Sequence, residues 1–98
     1  VNMDINFLRM LNDARKISGI PYKITSGYRS IEHNKTVGGV TNSSHLTGKA
    51  ADIAVGGGSQ RYVILNSLIK AGFKRLGVAK TFIHCDTDES KPNSVWTY

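Results

Sequence analysis

The chain has one cysteine, Cys85, so no internal disulfide can form and the fold does not depend on oxidation. It has no apolar run near the length of a membrane span, which excludes a membrane-crossing helix. Gly38-Gly39 is not followed by Gly-Lys-Ser/Thr, which excludes a phosphate-cradling loop of that kind. The formal charge is +6, yet the basic residues form no run and no arginine–aromatic interleaving appears. A nucleic-acid partner is therefore not expected. The charge fits a solubilising surface as well as attraction to a polyanion such as an anionic cell wall. No internal repeat or low-complexity segment is visible, and the N-terminus reads as lacking a signal peptide.

What is present suits a single domain spanning 1–98. Of the 98 residues, 40% are hydrophobic and 20% charged, the balance of an ordinary globular chain with one modest core. Asp4 to Ser18 predicts an amphipathic helix. Phe7, Leu8, Leu11, Ala14 and Ile17 form its apolar stripe, Asp4 caps the start and Gly19 stands at the end. Tyr22 to Ser26 predicts a strand, Ser30 to Lys35 a short helical turn, and Val37 to Ser44 a Gly-, Asn- and Ser-rich loop. After a strand over Lys49 to Val55, Gly56-Gly57-Gly58 breaks the chain and Ser59 offers an N-cap. Gln60 to Ala71 then predicts a second helix burying Val63 or Ile64, Leu65, Leu68 and Ile69. Arg75 to Ala79 and Thr81 to Asp86 read as a hairpin turning at Lys80. Gly77 marks a bulge or a close approach to the backbone. The tail from Thr87 is polar until Trp96, and Trp96 and Tyr98 are expected to fold back near the site or the core edge. This order predicts an α+β fold, with helices packed on a small antiparallel sheet.

The chemistry-bearing residues fall on particular faces of these strands. Alternation puts Ala50, Asp52 and Ala54 on one face, and Ala51, Ile53 and Val55 on the other. In the last strand Phe82, His84 and Asp86 share a face, while Ile83 and Cys85 turn to the core. There Cys85 serves as a small apolar residue. Gly48 allows a turn between a loop histidine, His45, and Asp52. Two histidines and a carboxylate are what zinc takes when one position is left for water. His45, Asp52 and His84 are therefore the candidate ligands of one Zn2+ per chain, with the site at the sheet face.

Ser43-x-His45-x-x-Gly48-x-Ala50-x-Asp52, followed by an aromatic residue, Ile, His84-x-Asp86, resembles the zinc peptidases of the M15 (D-Ala-D-Ala carboxypeptidase) family. The small branch found in phage endolysins and bacterial cell-wall hydrolases is the nearest in pattern. The resemblance extends to Thr25-Ser26-Gly27-Tyr28-Arg29-Ser30 and Asn34-x-x-Val37-Gly38-Gly39-Val40, so it runs from about Ile24 to Trp96. It implies a monomeric zinc metallopeptidase, of carboxypeptidase or endopeptidase type, that hydrolyses peptidoglycan stem or cross-link peptides. Its place of action would be the bacterial cell wall, reached from the periplasm or outside, or as an endolysin released from the cytoplasm. Arg29 would hold a substrate carboxylate or carbonyl, a task that suits a planar bidentate donor. Ser43 would hydrogen-bond substrate or simply shape the turn.

One departure stands out. Much of the family has an acidic residue three positions before the last histidine, where this chain has Thr81. Asp86 is the substitute, either as the catalytic proton acceptor or as a hydrogen-bond acceptor that fixes a ligand imidazole. Asp88 and Glu89 are expected to be solvated. Thr81 also keeps open a different class of function, a non-catalytic zinc-binding recognition module on the same scaffold.

Overall fold

The computed structural model describes residues 4–26 and 48–98. Its first element, α1 (Ile5–Ser18), forms where the sequence predicts it. The Asp4 carboxylate accepts from the Phe7 N–H at 2.9 Å, which satisfies one of the open donors of the first turn. At the other end Gly19 adopts φ 72° and its N–H reaches the Arg15 carbonyl. The buried stripe is narrower than predicted. Phe7 and Ala14 are fully buried and Met10 and Leu11 flank them, while Leu8 and Ile17 stay exposed.

The other elements among the described residues are β1 (Ile24–Ser26), β2 (Ala50–Ala54), α2 (Gly58–Lys70), β3 (Arg75–Val78), β4 (Phe82–Asp86) and β5 (Ser94–Thr97). Helix α2 starts ahead of the expected Ser59 cap, because the extended Gly57 takes the N-cap position without a side-chain bond. Gln60 instead reaches back with its side-chain carbonyl to the Gly56 N–H. The helix ends in a Schellman arrangement: Phe73 N–H bonds to Leu68 O and Gly72 N–H to Ile69 O, both at 3.1 Å. Gly72, at φ 103°, makes this possible. Ile69 was expected inside but is exposed, and Ser67 takes a buried position instead. The Ser67 hydroxyl is satisfied there by the Ile64 carbonyl and by the Tyr22 hydroxyl.

The five strands form one sheet in the order β1-β2-β4-β3-β5. All neighbours are antiparallel except β3 and β5, which run parallel. The fold is α+β as expected, but the sheet is not wholly antiparallel. The difference lies in the tail, whose polar residues gave no strand signal. Ser94–Thr97 is half-exposed at best and is held by backbone bonds to β3 more than by burial.

The two helices cover one face of the sheet. Phe7, Ala14, Ile64 and Leu68 meet Ala51, Ile53, Val55, Leu76, Ile83 and Cys85, and Phe73 sets its ring edge-on to Phe7. Ala51, Ile53, Val55, Ile83 and Cys85 are the odd members of the alternation, as the sequence predicts, and Leu76 joins them because it lies opposite Cys85 in the β3–β4 ladder. The even members, Asp52, His84 and Asp86, therefore emerge on the face opposite α1 and α2.

Candidate metal centre

The centre is assembled by register. In the β2–β4 ladder Asp52 lies opposite His84 and Ala50 opposite Asp86, while in β3–β4 Gly77 lies opposite His84 and Arg75 opposite Asp86. On the far side of β2, a register shift between Ile24 and Ser26 brings Ser26 opposite Asp52. Such bulges re-aim a strand beside a site.

His84 is buried and held at both ring nitrogens. Nδ1 stands 3.0 Å from Asp52 Oδ1, and Nε2 stands 2.7 Å from Asp86 Oδ2. Burial pulls the His84 pKa down, but the hydrogen bonds to Asp52 and Asp86, with their charges, outweigh it and leave it raised. Asp86 is more deeply enclosed, at 1% exposure. Its Oδ1 accepts from Arg75 Nε at 2.7 Å and from the Asp88 N–H at 3.1 Å, while Oδ2 faces the imidazole. Burial pushes its pKa up, but these donors and the His84 and Arg75 charges hold it below the usual carboxylate value. An ionised Asp86 can only accept, so Nε2 carries a proton and the Nδ1 side is left to face Asp52. Cys85, on the opposite face, is fully buried and its thiol is pushed far above its ordinary range. Its place among the core residues, on the face away from Asp52 and His84, agrees with its expected role.

Residues 2–86 match Peptidase M15. The chain belongs to that family. Over 45 residues it is also 44% identical to the zinc D-Ala-D-Ala carboxypeptidase of Streptomyces albus G. The aligned stretch is 46% of this chain and 17% of that protein, so the chain spans well under two thirds of the relative's length.

For an M15 chain the fit of a zinc ion can be tested on the described part of the centre. Neighbouring donors about 2.0–2.1 Å from a tetrahedral zinc lie about 3.3 Å apart. The Asp52 and His84 donor atoms, 3.0 Å apart, are close to that spacing, and a carboxylate oxygen with an imidazole nitrogen is a donor pair zinc accepts. The donors fit. Among the described residues no group of three acidic, histidine or cysteine side chains converges as a complete metal site. The third expected ligand, His45, lies outside the described residues, as do Arg29 and Ser43.

Two residues of this surface escaped the sequence reading. Arg75 was taken only as the start of a strand. It is the side chain that holds Asp86, and its side chain also bonds the Pro92 carbonyl. Asp88 was expected to be solvated but is buried, with the Ser90 N–H and hydroxyl on its Oδ1. The only signal for Arg75 is that it shares a face with Gly77, and this becomes useful once β3 is paired with β4. Trp96 does fold back as expected. Its ring centroid lies 5.4 Å from that of His84, and the Arg75 guanidinium carbon lies 5.0 Å from the indole centroid.

Proposed function

We propose that this chain is a zinc-dependent peptidase of peptidoglycan peptides, with one zinc held by His45, Asp52 and His84. The observation that carries the reading is the Asp52–His84 pair braced by Asp86, on the sheet face opposite α1 and α2 of an M15 family member. Zinc in such a site activates water and polarises a peptide carbonyl. The protein's own residues supply the rest. Asp52 and His84 present a carboxylate and a correctly oriented Nδ1. Arg29 holds a carboxylate or carbonyl of the peptide, and Ser43 adds a hydrogen bond to it. The relative's name, a zinc D-Ala-D-Ala carboxypeptidase, supports a stem-peptide substrate and a place of action at the bacterial cell wall. The net charge of +6 suits an anionic wall. Residues 1–98 form the peptidase domain of this reading, acting as a monomer on peptide and not on nucleic acid. No helix of the described residues is long and apolar enough to cross a membrane.

Of the two roles open to Asp86, its surroundings favour positioning. A carboxylate at 1% exposure with three donors already on it has little access to a reacting water. It resembles instead the carboxylate that fixes the tautomer of a ligand histidine. Thr81 is exposed beside the β3–β4 turn and cannot accept a proton. That pair of observations favours a second reading, a zinc-binding recognition module without turnover.

The experiment is metal content by mass spectrometry combined with digestion of purified peptidoglycan, with and without chelator. One zinc per chain and chelator-sensitive release of peptide products support the peptidase. One zinc with no product supports the recognition module. His84→Ala must lose the metal while the two helices survive; tight zinc binding by that variant refutes the ligand assignment.

A further inference from the structure

On the sheet face opposite α1 and α2, the surface beyond His84 is shaped by a residue with no side chain. Gly77 lies opposite His84 in β4 and beside Trp96 in β5. A Cβ at Gly77 would stand 2.5 Å from Trp96 Nε1, 2.7 Å from its Cε2 and 2.8 Å from Tyr98 Cε1. The glycine thus lets the indole settle at the level of the strands and reach the His84 ring. Arg75 packs on the same indole. Farther along, the Tyr98 and Phe82 rings meet tilted at 59° with centroids 5.0 Å apart, and Tyr98 is 69% exposed. The result is a shallow aromatic shelf that begins at a proposed metal ligand and runs outward over β3 and β5.

We infer that Trp96, continued by Phe82 and Tyr98, is the substrate-facing wall of the centre, against which the bound peptide lays its short aliphatic side chains. The inference rests on the peptidase reading for the nature of the ligand, but its placement rests on the shelf alone. A peptide whose carbonyl reaches the His84 side of the centre, and whose chain extends across β3, crosses Gly77. There it meets the indole. A shallow shelf accepts methyl-sized groups lying on ring faces. Trp96 is here a positioning and specificity residue.

Trp96 is the single tryptophan of the chain, so its fluorescence reports on this wall without a label. The test titrates the zinc-loaded protein with a stem peptide ending in D-Ala-D-Ala, reading fluorescence and hydrolysis in parallel. Saturable quenching or a spectral shift, with half-saturation tracking KM, is expected. Trp96→Ala should raise KM about tenfold with kcat within about threefold, since the lost contact is made equally in the ground and transition states. Zinc affinity should be unchanged. Trp96→Phe, which keeps a ring on the shelf, should recover most of the KM. Hydrolysis with no change in fluorescence at saturation overturns the inference and leaves the peptidase standing. Quenching without hydrolysis keeps the shelf as a binding wall and sinks the peptidase. An unchanged KM in Trp96→Ala, or a KM rise matched by lost zinc, also overturns it, because the indole would then serve only to hold His84.

Discussion

Replacing Asp86 with asparagine separates the two roles of this carboxylate. Asp86 accepts from three donors, at 2.7, 2.7 and 3.1 Å, with almost no exposure to water. An asparagine of the same shape has one accepting oxygen and one donating nitrogen. If the oxygen faces Arg75, the amide N–H₂ points at His84 Nε2, and the imidazole must carry its proton on Nδ1, against Asp52. That proton stands where zinc is expected to bind. If the amide turns round, its N–H₂ faces the Arg75 guanidinium instead. In that second case Arg75 Nε and the Asp88 N–H lose their acceptor, and either way the buried charge opposite Arg75 is gone. Breaking a buried ion pair by removing one partner costs about 3–5 kcal/mol. Arg75 is 13% exposed and keeps the Pro92 carbonyl and the indole, so the lower figure applies. At about 4–8 °C per kcal/mol for a domain of this size, the melting temperature should fall by roughly 12–24 °C. Zinc affinity, read by competition with a chromophoric chelator, should fall about 10- to 100-fold. Nitrogen NMR of His84 should show the tautomer changing. The reasoning is refuted if Asp86→Asn binds zinc as the parent does while turnover falls about 10²- to 10⁴-fold, which is the signature of a lost proton acceptor. Full retention of both removes Asp86 from the centre.

Gly77→Ala places a methyl within 2.5 Å of the indole and should displace Trp96, costing about 1–3 kcal/mol and shifting tryptophan emission to the red; unchanged emission would show that the shelf does not depend on Gly77. Arg29→Ala should keep zinc and lose most hydrolysis, with Arg29→Lys a partial rescue, since a bidentate donor is not replaced by an ammonium; equal activity in all three would place Arg29 outside the site. The raised His84 pKa fixes the sign of a pH effect in chelated protein. Its stabilisation is complete below the unfolded histidine value, about 6.5, and is lost as pH rises through the higher folded value, so melting temperature should fall from about pH 6 upward. In the proposed site zinc would take the place of the Nδ1 proton, so the stabilisation it adds should grow over the same range; a flat profile without metal would contradict the pairing of His84 with two carboxylates.

The sequence alone determined which residues share a face. A strand alternates with period two whatever it pairs with, so Asp52, His84 and Asp86 had to part from Ile53, Ile83 and Cys85. Helix α1 was legible for a similar local reason, with Asp4 and Gly19 as its ends. Tertiary structure decided the rest. Asp52 meets His84 only through the β2–β4 register, across a separation of 32 residues. Arg75 becomes the partner of Asp86 only once β3 folds beside β4. β5 forms because β3 offers it an open edge, since its own polar residues carry too little apolar pattern to announce a strand. Gly77 read as a bulge or a close approach, and only the arrival of Trp96 in three dimensions chose between them. Periodicity is a property of the backbone and can be read from one segment; register and side-chain partnership are properties of pairs, fixed by which edges and faces the core brings together.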